Sequence, residues 1–319
     1  MKVMTYLAKI LILLLTLMIF PSFFPLHADD QIAPNPNNAT INVTEEDWNN
    51  DAFINNGTLN INVPGSLENN IGATLTNRGI LNINSSLVNC GTVTNSGTIN
   101  NYGALGNCTV FINTGTLNNN DGGWLLNTDG AVFTNAVGGT LINAAGAQLT
   151  IQDGASFINN GTLTNNGLLG NDSGSYLTNN GTLTNNDTLV NAGMLTNNST
   201  LSNSGIFTNS GSVNNEAGAV FVNNGTFNNN GTFTNRGIIT GTGTMVGNFS
   251  NDGTIAPGNS IGAMTITGNY THNAGAVYLL EINAAGRSDK LVITGTAALN
   301  GGKVSVWAAS GNYPNATST

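Results

Sequence analysis

Side chains of the kinds that do chemistry are few in this sequence and widely spaced. The histidines are His27 and His272, so no pair stands at a catalytic or metal-binding spacing. The serines lack a paired base, and the sequence contains no Cys-x-x-Cys and no phosphate-binding loop. A single histidine in "NYTHNAG" is more typical of a turn or a strand end than of a catalytic base. The sequence therefore predicts a protein that is not an enzyme and uses no cofactor.

Three aspartates are the remaining candidates for a metal site. Asp121, Asp129 and Asp153 occupy equivalent two-residue inserts in a repeat and could line up to bind calcium weakly, although solvated corner residues are the simpler interpretation. A polysaccharide-acting enzyme would need clustered carboxylates beside basic residues. Between residues 51 and 242 the basic residues are Arg78 and Arg236, which are far apart. A β-helical glycan-acting surface enzyme is therefore kept as an alternative, and no metal ligand is assigned.

Cys90 and Cys108 are separated by 18 residues, and both occupy the sixth position of the repeat. If three repeats close one coil, the two residues stack one coil apart, at about 4.8 Å. That distance is within the roughly 4.4–6.8 Å between Cα atoms that a disulfide allows. Export from the cytosol would permit oxidation, and two free thiols in small-residue positions are the alternative.

A six-residue repeat, G-T-L-T-N-N, runs from Asp51 to Thr242 in 29 copies. Two-residue inserts such as Asp129-Gly130 keep the alternation of side chains in step. The third position is apolar in all 29 copies, and the fifth is Asn in 25 of them. Because alternate side chains of a strand share a face, positions three and five should point inwards and the Thr-rich positions two and four outwards.

Each repeat predicts a short strand followed by an Asn-Gly corner. A strand with one large apolar side chain cannot form a core alone, whereas stacked parallel strands form a continuous one. We therefore predict an all-β fold, a parallel β-helix (β-solenoid) with about three repeats per coil. An antiparallel meander is the alternative, because Asn-Gly also favours hairpins, but its strands would be very short.

The inward Asn side chains need hydrogen-bond partners, since an unpaired buried amide costs about 1–3 kcal/mol. In a stack, the Asn of one coil can bond to the Asn of the next, so the fifth positions predict an Asn ladder. Its most regular stretch comprises Asn179, Asn185, Asn191, Asn197, Asn203 and Asn209.

The outward threonines form a second pattern. Five repeats carry Thr at both outward positions, beginning with Thr74/Thr76 and ending with Thr232/Thr234. A flat Thr array could bind ice or a glycan surface. The five pairs are interpreted as too dispersed for such an array, and β-propensity is the simpler explanation.

The N-terminal segment has the pattern of a secretory signal peptide. Lys2 and Lys9 are followed by a mostly apolar run, and we predict a signal over residues 1–28 with cleavage after Ala28; an uncleaved membrane anchor is the alternative. Removing the segment leaves 5 of the 7 basic residues against 16 acidic ones, a net charge of −11. This balance argues against nucleic acid as a partner.

After residue 242 the repeats stop, and three motifs follow in order: "APGNSIG" at 256–262, "GNY" at 268–270 and "SDKLVITG" at 288–295. This region resembles the C-terminal end of the passenger region in bacterial autotransporters, the type V secretion proteins. The preceding Asn-Gly-Thr repeats also look like passenger solenoids of that family. The residues that match the motifs include Pro257, Gly258, Asn259, Ser260, Ile261, Gly262 and Asp289.

The sequence pattern predicts a signal peptide (1–28), an N-terminal cap (29–50) and the repeat solenoid (51–242). The resemblance adds an incomplete passenger C-terminal region that seeds folding (243–319). It also implies a right-handed β-helix that the export machinery and an outer-membrane β-barrel bring to the surface of a Gram-negative cell. The sequence ends before such a barrel. We therefore expect either a passenger truncated before its barrel, or a remnant without function that stays in the periplasm.

The expected function is that of a secreted or surface-displayed passenger that acts as a non-enzymatic adhesin or structural stalk. Host-cell or glycan surfaces are the expected contacts.

Overall fold

The structure is a computed structural model that describes residues 32–311 and Tyr313. The predicted signal peptide and its cleavage site at Ala28 lie outside the described residues. Every regular element of the described part is a β-strand. Within residues 32–311, no helix of the length and apolarity needed to span a membrane is present.

The strands before residue 120 are β1 Thr40–Val43, β2 Glu46–Asn49, β3 Ala52–Asn55, β4 Thr58–Ile61, β5 Ser66–Asn69, β6 Thr74–Asn77, β7 Ile80–Ile83, β8 Ser86–Asn89, β9 Thr92–Asn95, β10 Thr98–Asn101, β11 Ala104–Asn107, β12 Val110–Asn113 and β13 Thr116–Asn119. The middle strands are β14 Trp124–Asn127, β15 Val132–Asn135, β16 Thr140–Asn143, β17 Gln148–Ile151, β18 Ser156–Asn159, β19 Thr162–Asn165, β20 Leu168–Asn171, β21 Tyr176–Asn179, β22 Thr182–Asn185, β23 Thr188–Asn191, β24 Met194–Asn197, β25 Thr200–Asn203 and β26 Ile206–Asn209.

The remaining strands are β27 Ser212–Asn215, β28 Val220–Asn223, β29 Thr226–Asn229, β30 Thr232–Asn235, β31 Ile238–Gly241, β32 Thr244–Val246, β33 Phe249–Asn251, β34 Thr254–Pro257, β35 Ala263–Thr267, β36 Tyr270–His272, β37 Val277–Ile282, β38 Lys290–Ile293, β39 Ala297–Leu299 and β40 Lys303–Ala308.

Every third strand belongs to the same sheet, so one coil contains three strands. Sheet 1 holds 14 strands in the order β1, β4, β7 and so on to β40. Sheet 2 holds 13 strands from β2 to β38, and sheet 3 holds 13 strands from β3 to β39. All pairs between named strands are parallel and in register; β22 and β25, for example, pair Thr182 with Thr200 and Asn185 with Asn203. This confirms the predicted β-solenoid with three repeats per coil and excludes the meander.

The 29 repeats correspond to strands β3 to β31, one strand for each repeat. Their third positions form the apolar core and are almost fully buried throughout. In sheet 3, Phe111, Phe133 and Phe157 lie directly above one another, with ring centroids 4.6 and 4.7 Å apart. In-register stacking of identical positions therefore turns single apolar side chains into one continuous core.

Glycine at the first repeat position is explained by the closeness of neighbouring coils at the corners. A Cβ atom on Gly181 would lie 2.1 Å from the carbonyl oxygen of Gly161, one coil away. The backbone itself fills the space that a side chain would need. The preference for small residues at these corners therefore follows from the coil spacing.

The stack extends beyond both ends of the repeat region. Strands β1 and β2, which lie in the predicted cap, already pair with β4 and β5. Beyond residue 242, β32 to β40 continue the same three sheets, and β37 and β40 lengthen to six residues each. The change at residue 242 is a change of sequence pattern and strand length, while the three sheets continue without a break.

Cys90 and Cys108 follow β8 and β11, which are neighbours in sheet 2. They are joined by a disulfide, with their Cα atoms 5.2 Å apart. The bond links two successive coils at the same corner.

We expect a non-reduced digest of the protein, folded under oxidising conditions, to contain one peptide pair joined through Cys90 and Cys108. The double variant C90S/C108S should lose about 3 kcal/mol of unfolding free energy in urea, because the bond closes an 18-residue loop. Reduced wild-type protein is the matched control and should unfold like the variant. Two free thiols in the oxidised native protein would contradict the bond.

Candidate functional site

An unbroken ladder of buried asparagines runs along the corner that follows sheet 3. Each side chain donates a hydrogen bond from Nδ2 to Oδ1 of the Asn one coil further on, at 2.7–2.8 Å. The members are Asn37, Asn55, Asn77, Asn95, Asn113, Asn135, Asn159, Asn179, Asn197, Asn215, Asn235 and Asn251. All bonds point towards the C-terminal end of the stack.

Equivalent ladders follow the other two sheets. The sheet 1 ladder joins Asn101, Asn119, Asn143, Asn165, Asn185, Asn203 and Asn223. The sheet 2 ladder has two runs, one from Asn49 to Asn127 and one from Asn171 to Asn229. The six asparagines predicted from the sequence are all members, two in each ladder: Asn179 and Asn197, Asn185 and Asn203, Asn191 and Asn209.

The second amide hydrogen of each ladder Asn ties the backbone of the corner. Asn197 Nδ2 lies 3.1 Å from the carbonyl oxygen of Ser199 and 3.2 Å from that of Val220, which opens the next strand one coil further on. Because these carbonyls can only accept, they fix which side-chain atom is the nitrogen. The amide of Asn197 therefore holds its own corner, the next coil and the next Asn together.

The direction of the ladders explains three unpaired buried atoms. The Oδ1 atoms of Asn49, Asn101 and Asn171 have no hydrogen-bond partner in the described part. Each of them begins a run, so no Asn in the preceding coil donates to it. Ile83 stands before Asn101 and Ile151 stands before Asn171 in the same rows. The isoleucines at the fifth position therefore mark where a ladder starts.

A further ladder, which the repeat pattern did not predict, lies on the outer face of sheet 1. It joins Asn118, Asn100, Asn82, Asn60 and Asn42 at 2.8–2.9 Å, and its donors point towards the N-terminal end, opposite to the inner ladders. Apart from Asn42, which precedes the repeats, these residues occupy the fourth position of every third repeat, so reading the sequence with three repeats per coil would have revealed them. The outer face is thus partly ordered by side-chain hydrogen bonds.

The interpretation of the Thr pairs as dispersed is wrong for four of the five. Thr162/Thr164 on β19 stack directly on Thr182/Thr184 on β22 in sheet 1. Thr74/Thr76 and Thr92/Thr94 do the same in sheet 3. Pairs that are separated along the chain become neighbours because three repeats close one coil.

The aspartates of the inserts do not form one row. Asp129 and Asp153 lie at the corner between sheets 2 and 3, where Thr128 Oγ1 donates to Asp153 Oδ2 at 2.9 Å. Burial, followed by the charge of Asp153, raises the pKa of both Asp129 and Asp172. Asp121 lies at a different corner, between sheets 1 and 2. Among the described residues, no three His, Cys, Asp or Glu side chains are placed to hold a metal ion.

The first and third C-terminal motifs meet in the last coils. The buried carboxylate of Asp289 accepts hydrogen bonds from the backbone N–H groups of Gly262 at 2.9 Å and Glu281 at 2.7 Å. The backbone N–H of Lys290 in turn donates to the carbonyl of Gly262. Asp289 therefore fastens the loop of the first motif to β37.

The rest of the first motif closes the corner after β34. Gly258 exchanges two backbone hydrogen bonds with Gly241, and Thr240 Oγ1 donates to the Gly258 carbonyl at 2.6 Å. Pro257 is buried in the row that the sheet 1 ladder occupies earlier. Asn259, by contrast, is exposed and bonds to Asn224 at 3.1 Å, and the neighbouring Ser260 and Ile261 lie at the surface of the loop. These motif residues thus have structural contacts.

A comparison with protein-family models gives no match to this chain. A comparison with curated proteins gives none either.

We expect Asn197→Ala to lower the free energy of unfolding by about 3 kcal/mol, because it leaves the donor of Asn179 and the acceptor of Asn215 unpaired. Thr196→Ala, the adjacent outward residue on the same strand, should cost less than about 1 kcal/mol. Urea denaturation of both variants measures the difference. Equal losses would show that the inner amides are not the stabilising contacts.

We expect Ile151→Asn to be nearly neutral, within about 1 kcal/mol, although Ile151 is fully buried. The new amide would donate to the unpaired Oδ1 of Asn171 and accept from Asn127, which offsets the lost apolar burial. Leu149→Asn is the matched control on the same strand. It should cost about 4 kcal/mol, because its neighbours in sheet 2 are Leu125 and Leu169. Similar losses for the two variants, again measured by urea denaturation, would contradict the ladder as described.

Proposed function

We propose that this chain is an exported, surface-displayed passenger of the autotransporter type that acts as a non-enzymatic adhesin or structural stalk. The observation that carries the proposal is the uninterrupted stack of three parallel sheets. Fourteen strands of sheet 1 at about 4.8 Å spacing give a rod of roughly 60 Å. Because every coil is fastened to the next by backbone ladders, and most coils by amide ladders as well, the rod is well suited to hold a contact surface away from its attachment point.

The outer face of sheet 1 supports contact with an uncharged partner. From β4 to β34 its outward positions carry no Asp, Glu, Lys or Arg. From β10 to β25 every strand of the sheet carries an outward hydroxyl, with Thr98, Thr116, Thr140, Thr162, Thr182 and Thr200 in one row. Such groups hydrogen-bond to sugar hydroxyls without requiring a charged ligand. We therefore assign a glycan or glycan-covered host-cell surface as the contact.

The proposed route to the surface rests on the resemblance of the C-terminal motifs to autotransporter passengers. It requires the signal peptide, the export machinery and an outer-membrane barrel as partners, and it places the protein at the surface of a Gram-negative cell or outside it. The contact between Gly262 and Asp289 supports the resemblance, because residues from two of the three motifs bind each other in one folded unit.

We expect the double variant T164K/T184K, which places two charges on sheet 1, to reduce adhesion of protein-coated beads to glycan or host-cell surfaces at least about tenfold. T178K/T196K on sheet 3 is the matched control, because these threonines are also outward, stacked and half-buried. The control should adhere like the wild type, and both variants should keep the wild-type melting temperature.

If beads coated with the wild-type protein did not adhere, the adhesin function would be excluded and the structural stalk would remain as the proposed function. The adhesin and the stalk both require display at the cell surface. Antibody labelling of intact cells that express the gene with its downstream sequence tests that display. Absence of surface label on those cells would contradict the proposal as a whole.

A further inference from the structure

The corners of the stack contain Asn-Gly pairs, which are chemically reactive. The sequence has seven of them, six within the repeat and one after β39. In such a pair the backbone nitrogen of the glycine can attack the side-chain Cγ of the asparagine, because no glycine side chain hinders the approach. The reaction needs the glycine N–H to lose its proton and the nitrogen to turn towards Cγ. The hydrogen bonds and the exposure of each glycine N–H therefore decide which pair reacts.

At five of the repeat corners the glycine N–H is held by the preceding coil. It donates to the backbone carbonyl of a ladder Asn at 3.0–3.1 Å, and the N–H of the preceding residue donates to the same carbonyl. Both Asn180 and Gly181, for example, donate to the carbonyl of Asn159. Turning the glycine nitrogen towards Cγ would break such a bond, so these corners resist the reaction. The five glycines are Gly57, Gly161, Gly181, Gly225 and Gly231.

The sixth pair in the repeat, Asn166-Gly167, is held in another way. The N–H of Gly167 donates to Oδ1 of Asn165 at 3.4 Å, and Gly167 is buried. The N–H groups on either side, of Asn166 and Leu168, both donate to carbonyls of the preceding coil. Burial keeps water and hydroxide away from the Gly167 nitrogen, and the two flanking bonds fix the corner.

The seventh pair, Asn300-Gly301, lies between β39 and β40 and lacks both kinds of protection. The N–H of Asn300 donates to the carbonyl of His272 at 2.9 Å, as at a repeat corner. Within residues 32–311, however, the N–H of Gly301 has no hydrogen-bond partner. Gly301 and Gly302 have φ angles of 128° and 80°, whereas the five glycines held at repeat corners do not have a positive φ. The backbone therefore takes a different path at this corner.

Solvent reaches both residues of this pair. Asn300 and Gly301 are exposed, and in the described part the Asn300 side chain makes no hydrogen bond, so it is free to turn towards the Gly301 nitrogen. Exposure of the asparagine alone does not distinguish this pair, because Asn180 and Asn224 are exposed as well. The distinguishing feature is a glycine N–H that is both exposed and unbonded.

We propose that Asn300 is a site of spontaneous deamidation, at which the side-chain amide becomes a carboxylate while the repeat corners stay intact. Water or hydroxide takes the proton from the Gly301 nitrogen, and this nitrogen bonds to Cγ of Asn300. The Cγ–Nδ2 bond breaks, and Nδ2 takes up a proton and leaves as ammonia. The product of this step is a cyclic succinimide, and no oxidation or reduction takes place.

Water then opens the succinimide ring in one of two ways. Breaking the new bond to Cγ gives aspartate with the original backbone. Breaking the original peptide bond gives isoaspartate, in which the side-chain carbons become part of the backbone. Either product adds one negative charge to the corner that leads into β40. The inference stands independently of the proposed function.

The first test compares deamidation in the folded and the unfolded protein at mildly alkaline pH, with mass spectrometry of fragmented peptides to locate each modified residue. In guanidinium chloride with a reductant, all seven pairs should react at similar rates. In the folded protein, Asn300 should react at least about tenfold faster than Asn160 and Asn180, because those two corners must first open.

Two outcomes of this comparison would overturn the inference. One is equal rates at Asn300 and Asn180 in the folded protein. The other is an Asn300 that stays unmodified in the folded protein while it reacts in the unfolded one.

The second test uses variants and isoelectric focusing of aged, folded protein. N300Q lengthens the side chain and prevents closure of the succinimide ring, so it should abolish the acidic species that accumulates in the wild type. N180Q, at an exposed corner whose glycine is held, is the matched control and should leave that species unchanged. N300D should focus with the acidic species before ageing. The same acidic species in aged N300Q would place the reaction elsewhere and contradict the proposal.

Discussion

The structure depends on one constraint: a primary amide buried in a thin apolar core must find its partners in the neighbouring coil. Each coil contributes about three large apolar side chains, which is too few to hold a strand in place by burial alone. The buried Asn side chains supply direction and register as well. A shift of β24 by one residue would move Asn197 out of reach of Asn179 and Asn215 and turn Leu195 towards solvent. Hydrogen bonding and apolar burial therefore specify the same register.

The ladders also have a direction, and the direction has consequences at their ends. Because the Asn side chains of the inner ladders donate from Nδ2 towards the C-terminal end, each inner run begins with an Oδ1 that no ladder Asn bonds to and ends with a donor that needs another partner. Asn49, Asn101 and Asn171 show the first case. Asn223 and Asn251 show the second: Asn223 donates to the carbonyl of Thr244, and Asn251 donates to the Tyr270 hydroxyl. The ends of the ladders are thus where side chains other than Asn become necessary.

The repeat alone was sufficient to predict the strands and the inward Leu and Asn rows, because each follows from a period of two within a period of six. The three strands per coil were predicted from the 18-residue spacing of Cys90 and Cys108. Contacts between coils were harder to predict, since they depend on which repeats become neighbours. Thr162/Thr164 and Thr182/Thr184 are separated along the chain yet adjacent in sheet 1, and the outer Asn ladder from Asn42 to Asn118 follows the same spacing. The separation of Asp121 from Asp129 likewise depends on the corner that each insert occupies. After residue 242 the period disappears, and the contact between Gly262 and Asp289 carries no periodic signal at all.

Inner and outer positions are chemically independent in this fold. The outer Asn ladder of sheet 1 and the inner ladder of the same sheet lie on opposite faces, because alternate side chains of a strand point to opposite sides. Changes at positions two and four therefore leave the inner ladder intact, and the outer faces can differ from sheet to sheet while the stack stays the same. Any binding specificity in such a rod has to reside in outward side chains, because the inner apolar and Asn side chains are buried.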